Sequence, residues 1–188
     1  FMGTASTLQI MTEALGLMLP GTALMPATCK DLKEQAYKAG KQIIKLAKMD
    51  LTARDIVTMK SFENAIMVHA AISGSTNSLL HLPAIASEFG IDLNADLFDQ
   101  MHQNAHYLLD IRPAGKYPAE YFYYAGGVPA VMEAIKENLN LDVMTVTGKT
   151  LGENLEELKN NGYYENCQTF LDKINLKSTD IIRPYDDP

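Results

Sequence analysis

The feature that most constrains this chain is a short polar stretch, residues 73–78, between two segments with helical patterning. Over residues 61–71, apolar side chains recur at helical rather than alternating spacing. The same spacing continues over residues 79–89 and stops at Gly90, a residue type that commonly ends helices. The pattern therefore predicts two helices joined by a tight polar turn.

This turn has two plausible roles. Ser75, Thr76 and Asn77 carry hydroxyl and amide groups that can cap the second helix, which is the common role of such residues. They can also donate to a ligand, because Gly74 lets the backbone approach it closely and the amides at a helix start bind anions. From the residues alone, both a capped turn and a ligand site remain open.

The start of the chain offers a similar arrangement. Five residues with small side chains precede an apolar pattern at helical spacing: Gly3, Thr4, Ala5, Ser6 and Thr7. Ser6 and Gln9 have the spacing of a capping box, which predicts that Ser6 caps the first helix. Free amides at the positive end of a helix dipole suit a carboxylate, a phosphate or a sulfide. Residues 3–7 are therefore a second candidate ligand segment.

The rest of the chain is patterned mainly as helices. Further helices are predicted over residues 31–49, 94–104, 128–138 and 150–160. Short apolar runs at residues 107–111 and 143–146 are predicted as strands. We therefore expect an α/β fold that is mostly helical with a few short, parallel strands. Residues 161–188 are polar and weakly patterned, and we expect them to be irregular.

Charge and cysteine content exclude several classes of function. A net charge of −7 argues against a nucleic-acid partner or an anionic membrane surface, since both require a basic footprint. No apolar run reaches the length of a membrane span. Cys29 and Cys167 lie far apart and lack metal-ligand spacing, so we expect free thiols in a reducing cytosol.

The four histidines do not have the spacing of a metalloprotease site. His69 and His81 lie beside apolar neighbours on predicted helices, and we expect them to be structural. We expect His102 and His106 to be surface residues.

Gly148, Lys149 and Thr150 lie between a predicted strand and a predicted helix, as in a phosphate-binding loop. That loop needs a glycine five positions before Gly148, and Val143 occupies that position. Nucleotide binding through this turn is therefore a minor alternative.

Short motifs in a fixed order cover residues 1 to about 155, and one more lies near the end of the chain. They occupy residues 2–7, 13–16, 19–21, 62–66, 74–77, 80–82, 113–117, 126–132, 145–151, 153–155 and 182–184. In this order they resemble the dihydroxy-acid and phosphogluconate dehydratase family. Residues 3–7 look more like the sugar-acid branch than the branched-chain amino-acid enzyme, which tends to have Thr-Ala-Asn there.

The resemblance implies a reaction and two cofactors. Enzymes of this family dehydrate a 2,3-dihydroxy carboxylate to a 2-oxo acid. An iron–sulfur cluster acts as Lewis acid on the departing 3-hydroxyl group, and Mg²⁺ holds the carboxylate and the 2-hydroxyl group. The family's cluster cysteines would precede Phe1, and its catalytic serine would lie in a later domain. We therefore expect no catalytic or metal-ligating residue in this chain, and neither cofactor to be held by it alone.

The same resemblance assigns the candidate residues a place. Residues 3–7 would lie next to the cluster, whereas Ser75, Thr76 and Asn77 would lie near the substrate pocket. Residues 1–160 would form the later part of the family's N-terminal domain. Residues 161–188 would lead to the linker of a C-terminal domain, so the chain would be an interior fragment of a longer enzyme.

The resemblance also implies a cytoplasmic homo-oligomer, a dimer or tetramer, that acts on a small polyhydroxy carboxylate. Two other hypotheses compete with it. One is a non-catalytic module that kept the fold and binds a small acid through the two polar segments. The other is a nucleotide-binding protein that uses the turn at Gly148.

Overall fold

Helices make up nearly all the regular structure of the computed structural model, which describes residues 1–188. The α-helices are α1 (Thr4–Ala14), α2 (Leu32–Met49), α3 (Ala53–Ile56), α4 (Met59–Ala71), α5 (Ser78–Glu88), α6 (Ala95–His102), α7 (Ala119–Tyr124), α8 (Gly127–Ala134), α9 (Leu151–Asn160), α10 (Tyr163–Asp172) and α11 (Ser178–Ile181). A 3₁₀ helix, Lys136–Asn138, follows α8. The mostly helical character predicted from the sequence is therefore confirmed.

Helix α4 forms the centre of the fold. Nine of its 13 residues are buried, among them Phe62, Ile66 and Val68. It packs against α1, α6 and α8. A helix that is apolar on most of its circumference is stable only when other elements cover it. Because α4 packs against α1, the polar turn that follows α4 lies close to the start of α1.

Several predicted helix ends are confirmed because they depend on local contacts. Helix α5 ends just before Gly90, which has a φ of +73°. Asn94 caps α6, and Thr150 forms a capping box with Glu153 at the start of α9. The prediction that Ser6 caps α1 is wrong. The helix already begins at Thr4, because the carbonyl oxygen of Gly3 accepts the hydrogen bond from the Thr7 amide.

The two predicted strands do not form a sheet. Residues 107–111 and 143–146 take part only in isolated bridges, which join Leu109 to Ile182, Ile111 to Tyr117 and Met144 to Thr150. The amide of Leu108 donates instead to the carbonyl oxygen of Ala71 at the end of α4. Leu108 and Leu109 are both fully buried, so their run resembles a strand in composition. The parallel strands expected for an α/β fold are therefore absent.

The prediction that residues 161–188 are irregular is wrong. They contain α10 and α11, and α10 packs against α7 and α9. Leu171 and Ile181 are fully buried in the same core as α4. The weak pattern arises because only a few apolar residues of this segment face the core. The division at residue 160 stays a prediction.

Helix α2 is the longest and most exposed helix, with Leu46 as its one buried residue. The side-chain amide of Gln42 donates a hydrogen bond of 2.8 Å to the carbonyl oxygen of Val146 and so ties α2 to the body of the fold. Neither α2 nor any other helix has both the length and the apolar composition needed to cross a bilayer.

Candidate functional site

The two candidate segments meet at one place, which we call the polar junction and define as Thr4, Thr7, Ser75 and Asn77. The Asn77 side-chain amide donates to the Thr4 hydroxyl at 2.7 Å. The hydroxyl groups of Thr4 and Ser75 lie 3.2 Å apart. The backbone amide of Ser75 donates to the Thr7 hydroxyl at 3.1 Å. The start of α1 and the turn before α5 are therefore bonded directly to each other.

The two helix starts differ in their free hydrogen-bond donors. The amides of residues 3–6 have no acceptor within the chain, as is normal for the first turn of a helix. By contrast, carbonyl oxygens of residues 75–77 accept hydrogen bonds from the amides of residues 78–81 at the start of α5. The prediction of free helix-start amides is therefore confirmed for α1 and is wrong for α5.

The side chains of the turn do not cap α5. Asn77 lies at the N-cap position but makes no capping bond, because its amide group reaches Thr4. The Ser75 hydroxyl accepts a hydrogen bond from the Asn77 amide inside the turn. Thr76 is exposed at the outer edge of the turn, and Ala5 is exposed on α1. Capping of α5, the plainer role considered for the turn, is therefore not what these side chains do.

A buried hydroxyl group lies directly after the turn. Ser78 is fully buried, and its Oγ atom has no hydrogen-bond partner in the chain. Buried polar atoms are nearly always paired, so an unpaired one is a local cost to stability. The Ser78 hydroxyl group is therefore free to form a hydrogen bond beside the polar junction.

The ring of His69, on α4, packs against the polar turn. The sequence predicted a structural histidine but not this contact. His69 is 4% exposed and lies in the last turn of α4. Its Nε2 atom is 3.0 Å from the carbonyl oxygen of Ser75. A Cβ atom at Gly74 would lie 2.7 Å from the same Nε2 atom. Gly74 is therefore needed so that the turn can lie against the His69 ring.

The other histidines differ in their surroundings. His102 was expected at the surface but is half-buried, because α6 packs on α4 and brings its ring against that of His69. His81 is exposed on α5 rather than buried as a structural residue. His106 is exposed as expected, and its ring stacks on Tyr185.

Burial affects the protonation of the two neighbouring histidines. It lowers the pKa of His69, and the hydrogen bond to Ser75 partly opposes this effect. The pKa of His102 is lowered by burial and by the charge of His69, while Asp99 raises it. Both rings therefore favour the neutral state more than a histidine in water does.

The described residues do not supply a ligand set for a metal. No group of three or more histidine, cysteine or acidic side chains is arranged to hold one. Cys29 and Cys167 are free and half-buried. Burial raises the pKa of the Cys167 thiol, which disfavours the thiolate that a cluster ligand must supply. These residues do not fit an iron–sulfur cluster or Mg²⁺, and we derive no chemical step through either.

The turn at Gly148 is engaged in structural contacts. Thr150 caps α9, and the Lys149 ammonium group pairs with Glu157 at 2.7 Å. In a phosphate-binding loop this lysine would reach into the loop toward the nucleotide. The geometry therefore favours a structural turn.

An apolar groove between α2 and residues 17–25 has a volume of about 360 Å³. It is lined mainly by aliphatic side chains, including Leu17, Met25 and Ile43, and by no charged residue. It contains none of the candidate residues, so the polar junction remains the candidate site.

Comparison with known proteins identifies the family. The N-terminal profile of the dihydroxy-acid/6-phosphogluconate dehydratases matches residues 1–154. The chain belongs to this family. The match covers both candidate segments and continues beyond the start of α9. It confirms the resemblance deduced from the ordered motifs.

Curated relatives agree with this assignment. Dihydroxy-acid dehydratase 1 of Methanosarcina acetivorans is 49% identical over 84% of this chain, which is 29% of the relative. The dihydroxy-acid dehydratase of Caldicellulosiruptor bescii is 41% identical over 100% of this chain and 31% of its own length. That of Sulfurisphaera tokodaii is 46% identical over 98% of this chain and 31% of its own length. The chain therefore spans under a third of the relatives it matches.

Proposed function

We propose that this chain is the segment of a hydro-lyase that removes water from a 2,3-dihydroxy carboxylate to give a 2-oxo acid. The family assignment and the names of the relatives support the reaction class. The observation that carries the proposal is the polar junction, where two family motifs far apart in sequence are joined by hydrogen bonds.

In this proposal the polar junction forms one wall of the substrate pocket. We propose that residues 3–7 lie next to the iron–sulfur cluster, where the free amides of residues 3–6 and the positive end of the α1 dipole suit a negatively charged atom. The groups of Ser75 and Asn77 can exchange hydrogen bonds with substrate hydroxyl groups. The chain would thus bind and orient substrate. Residues outside 1–188 would hold the iron–sulfur cluster and Mg²⁺ and would provide the base.

Two substrate classes remain candidates for this pocket. The residues at positions 3–7 favour a sugar acid, whereas the relatives named above are dihydroxy-acid dehydratases. A screen of the full-length protein with pentonates, hexonates and dihydroxy-isovalerate separates the two. Faster turnover of sugar acids supports the branch inferred from positions 3–7, and turnover of dihydroxy-isovalerate alone contradicts it.

Further parts of the proposal concern the cellular setting. We propose a cytoplasmic enzyme, in keeping with the two free cysteines, which fit a reducing compartment. We also propose a homo-oligomer, either dimer or tetramer, with a small polyhydroxy carboxylate as its ligand. Light scattering on the full-length protein tests the oligomeric state.

The decisive experiment removes the junction's polar groups one at a time. In the full-length protein, Ser75→Ala and Asn77→Ala should each lower kcat/KM by about 5- to 150-fold, since a lost hydrogen bond to bound substrate is worth about 1–3 kcal/mol. Iron content should stay at the wild-type level. Ser87→Ala, on an exposed position of the same helix α5, is the matched control and should retain wild-type kinetics.

Wild-type kinetics in both junction variants would refute the proposed substrate role. Binding of a small acid by the wild-type protein that is weakened in both junction variants, without any turnover of dihydroxy acids, would favour the non-catalytic module.

A further inference from the structure

The rings of His69 and His102 form a hydrogen-bonded pair beneath the polar junction, which we call the histidine pair. The Nδ1 atom of His69 lies 3.3 Å from the Nε2 atom of His102. The two ring planes are within 11° of each other. One member comes from the end of α4 and the other from the end of α6, so the pair links two helices that are far apart in sequence.

The contacts determine which nitrogen atoms carry protons. The carbonyl oxygen of Ser75 can only accept, so Nε2 of His69 must be the donor to it. In a neutral imidazole the other nitrogen is then an acceptor. Nδ1 of His69 therefore accepts from Nε2–H of His102, and both neutral rings carry their proton on Nε2.

This arrangement has room for one added proton but not for two. A proton on Nδ1 of His102 leaves every hydrogen bond intact, because Nε2–H still donates to His69. A second proton would have to bind Nδ1 of His69, where it would face the N–H group of His102 at 3.3 Å. Two like charges and two opposed donors cannot keep this contact, so the rings must separate.

The groups around the histidine pair do not neutralise a second charge. Asp99 lies on α6 one turn before His102 and favours a charge on that ring. Helix α1 presents the hydroxyl of Thr7 and the turn presents Ser75, and both are uncharged. Helix α8, which also packs on α4, buries only apolar residues and glycine.

We propose that His69 is a positioning residue that holds the Ser75 turn against α1, and that the histidine pair releases the turn when both rings are protonated. The proposal rests on the proposed function for its effect on catalysis. The His69 ring is the one side chain that bonds to the Ser75 carbonyl oxygen. The rest of the turn is held by the Gly74 amide, which donates to the His69 carbonyl oxygen at 2.9 Å, and by the bonds of Ser75 and Asn77 to α1. Movement of the His69 ring would remove the side-chain donor to the Ser75 carbonyl oxygen, so we expect the Ser75 end of the turn to shift relative to α1.

The direction of the pH effect follows from burial. Both histidine pKa values are lowered from the ordinary 6.5. The stabilising effect of the neutral pair is thus complete above about pH 6.5 and is lost as the pH falls through the lowered values. Acid conditions should release the turn, and alkaline conditions should not.

The first test measures turnover of the full-length protein against pH. Wild-type kcat/KM should decrease as the pH drops through the histidine pKa values, which lie below 6.5. His69→Gln keeps a donor for Ser75 but cannot gain a proton, so it should retain neutral-pH turnover and lack the acid loss. His69→Phe removes the donor and should lower kcat/KM at every pH by about 10- to 100-fold, since misplacement by about 1 Å has effects of that size. An unchanged acid loss in His69→Gln would overturn the proposal.

The second test does not depend on activity or on the folding of a variant. Ring nitrogen NMR shifts of wild-type protein labelled with ¹⁵N-histidine report which nitrogen carries the proton. Both His69 and His102 should be protonated at Nε2 alone at neutral pH. A proton on Nδ1 of His69 at neutral pH, or two charged rings with the Ser75 contact intact, would overturn the proposal. Absence of turnover with every dihydroxy acid would refute the proposed function, while these spectra would still decide the role of the pair.

Discussion

At Gly74, the absence of a side chain lets the polar turn lie directly on the His69 ring. An added Cβ atom would approach both Nε2 of His69 and, at 3.0 Å, Cγ2 of Thr7. Both neighbours belong to buried parts of the fold and have little freedom to move. A single methyl group at this position therefore disturbs the contact between α1, α4 and the turn.

We predict that Gly74→Ala lowers the free energy of unfolding by about 1–3 kcal/mol, the usual cost of overpacking a well-packed site. Gly40→Ala is the matched control, because a Cβ atom there meets nothing within 4 Å. In the exposed interior of α2 it should raise stability by about 0.5–1 kcal/mol. Urea unfolding of both variants measures the two effects, and equal changes would contradict the steric explanation.

At the scale of elements, Glu13 ties the end of α1 to the loop that follows it. It is 6% exposed, and its two carboxylate oxygens accept hydrogen bonds of 2.7 Å from the amides of Gly21 and Ala23. Burial raises the pKa of Glu13 to about 7, although these amides partly oppose the effect. A carboxyl group that resists ionisation in the folded state makes stability depend on pH.

We predict that wild-type stability relative to Glu13→Gln falls as the pH rises. The folded state favours the protonated carboxyl group, so its contribution is complete below the ordinary pKa of 4.5 and is lost as the pH rises through about 7. The glutamine variant cannot ionise and lacks this dependence. Urea unfolding of both proteins between pH 4 and 8 measures it, and a difference that stays constant would show that folding leaves the pKa of Glu13 unshifted.

Helix caps illustrate how a local pattern can succeed or fail. Thr150 accepts from the Glu153 amide and caps α9, whereas Ser6 has the same spacing to Gln9 but lies inside α1. We predict that Thr150→Ala costs about 0.5–2 kcal/mol of stability. Ser6→Ala should change it by under about 0.5 kcal/mol. Thermal unfolding compares them, and an equal loss in both would contradict the observed start of α1.

At the scale of the whole molecule, residues 161–188 close the core. Helix α10 covers α7 and α9, and Tyr124 stacks on Phe170 with their ring centroids 3.7 Å apart. Leu171 and Ile181 belong to the main hydrophobic cluster. This segment therefore contributes to the stability of the domain that carries the polar junction.

We predict that removal of residues 161–188 lowers the free energy of unfolding by about 3 kcal/mol or more, as expected for loss of several buried apolar side chains. The comparison uses circular dichroism during urea unfolding of the protein with and without the segment. Replacement of Asp186 and Asp187 by Asn, at exposed positions of the same segment, is the control and should have little effect. Unchanged unfolding of the shortened chain would support the linker role that the sequence suggested.

The sequence alone determined most helices, their caps at Asn94 and Thr150, and the family. Helix signals arise from contacts three or four residues apart, so they are visible in the order of residues. The tertiary structure decided which distant groups meet: Thr4 with Asn77, and His69 with His102. It also decided that residues 107–111 form only isolated bridges and no sheet. A strand needs a partner strand, and its own composition does not specify that partner. The candidate site could therefore be located from its motifs, but its hydrogen bonds depend on how α4 packs against α1 and α6.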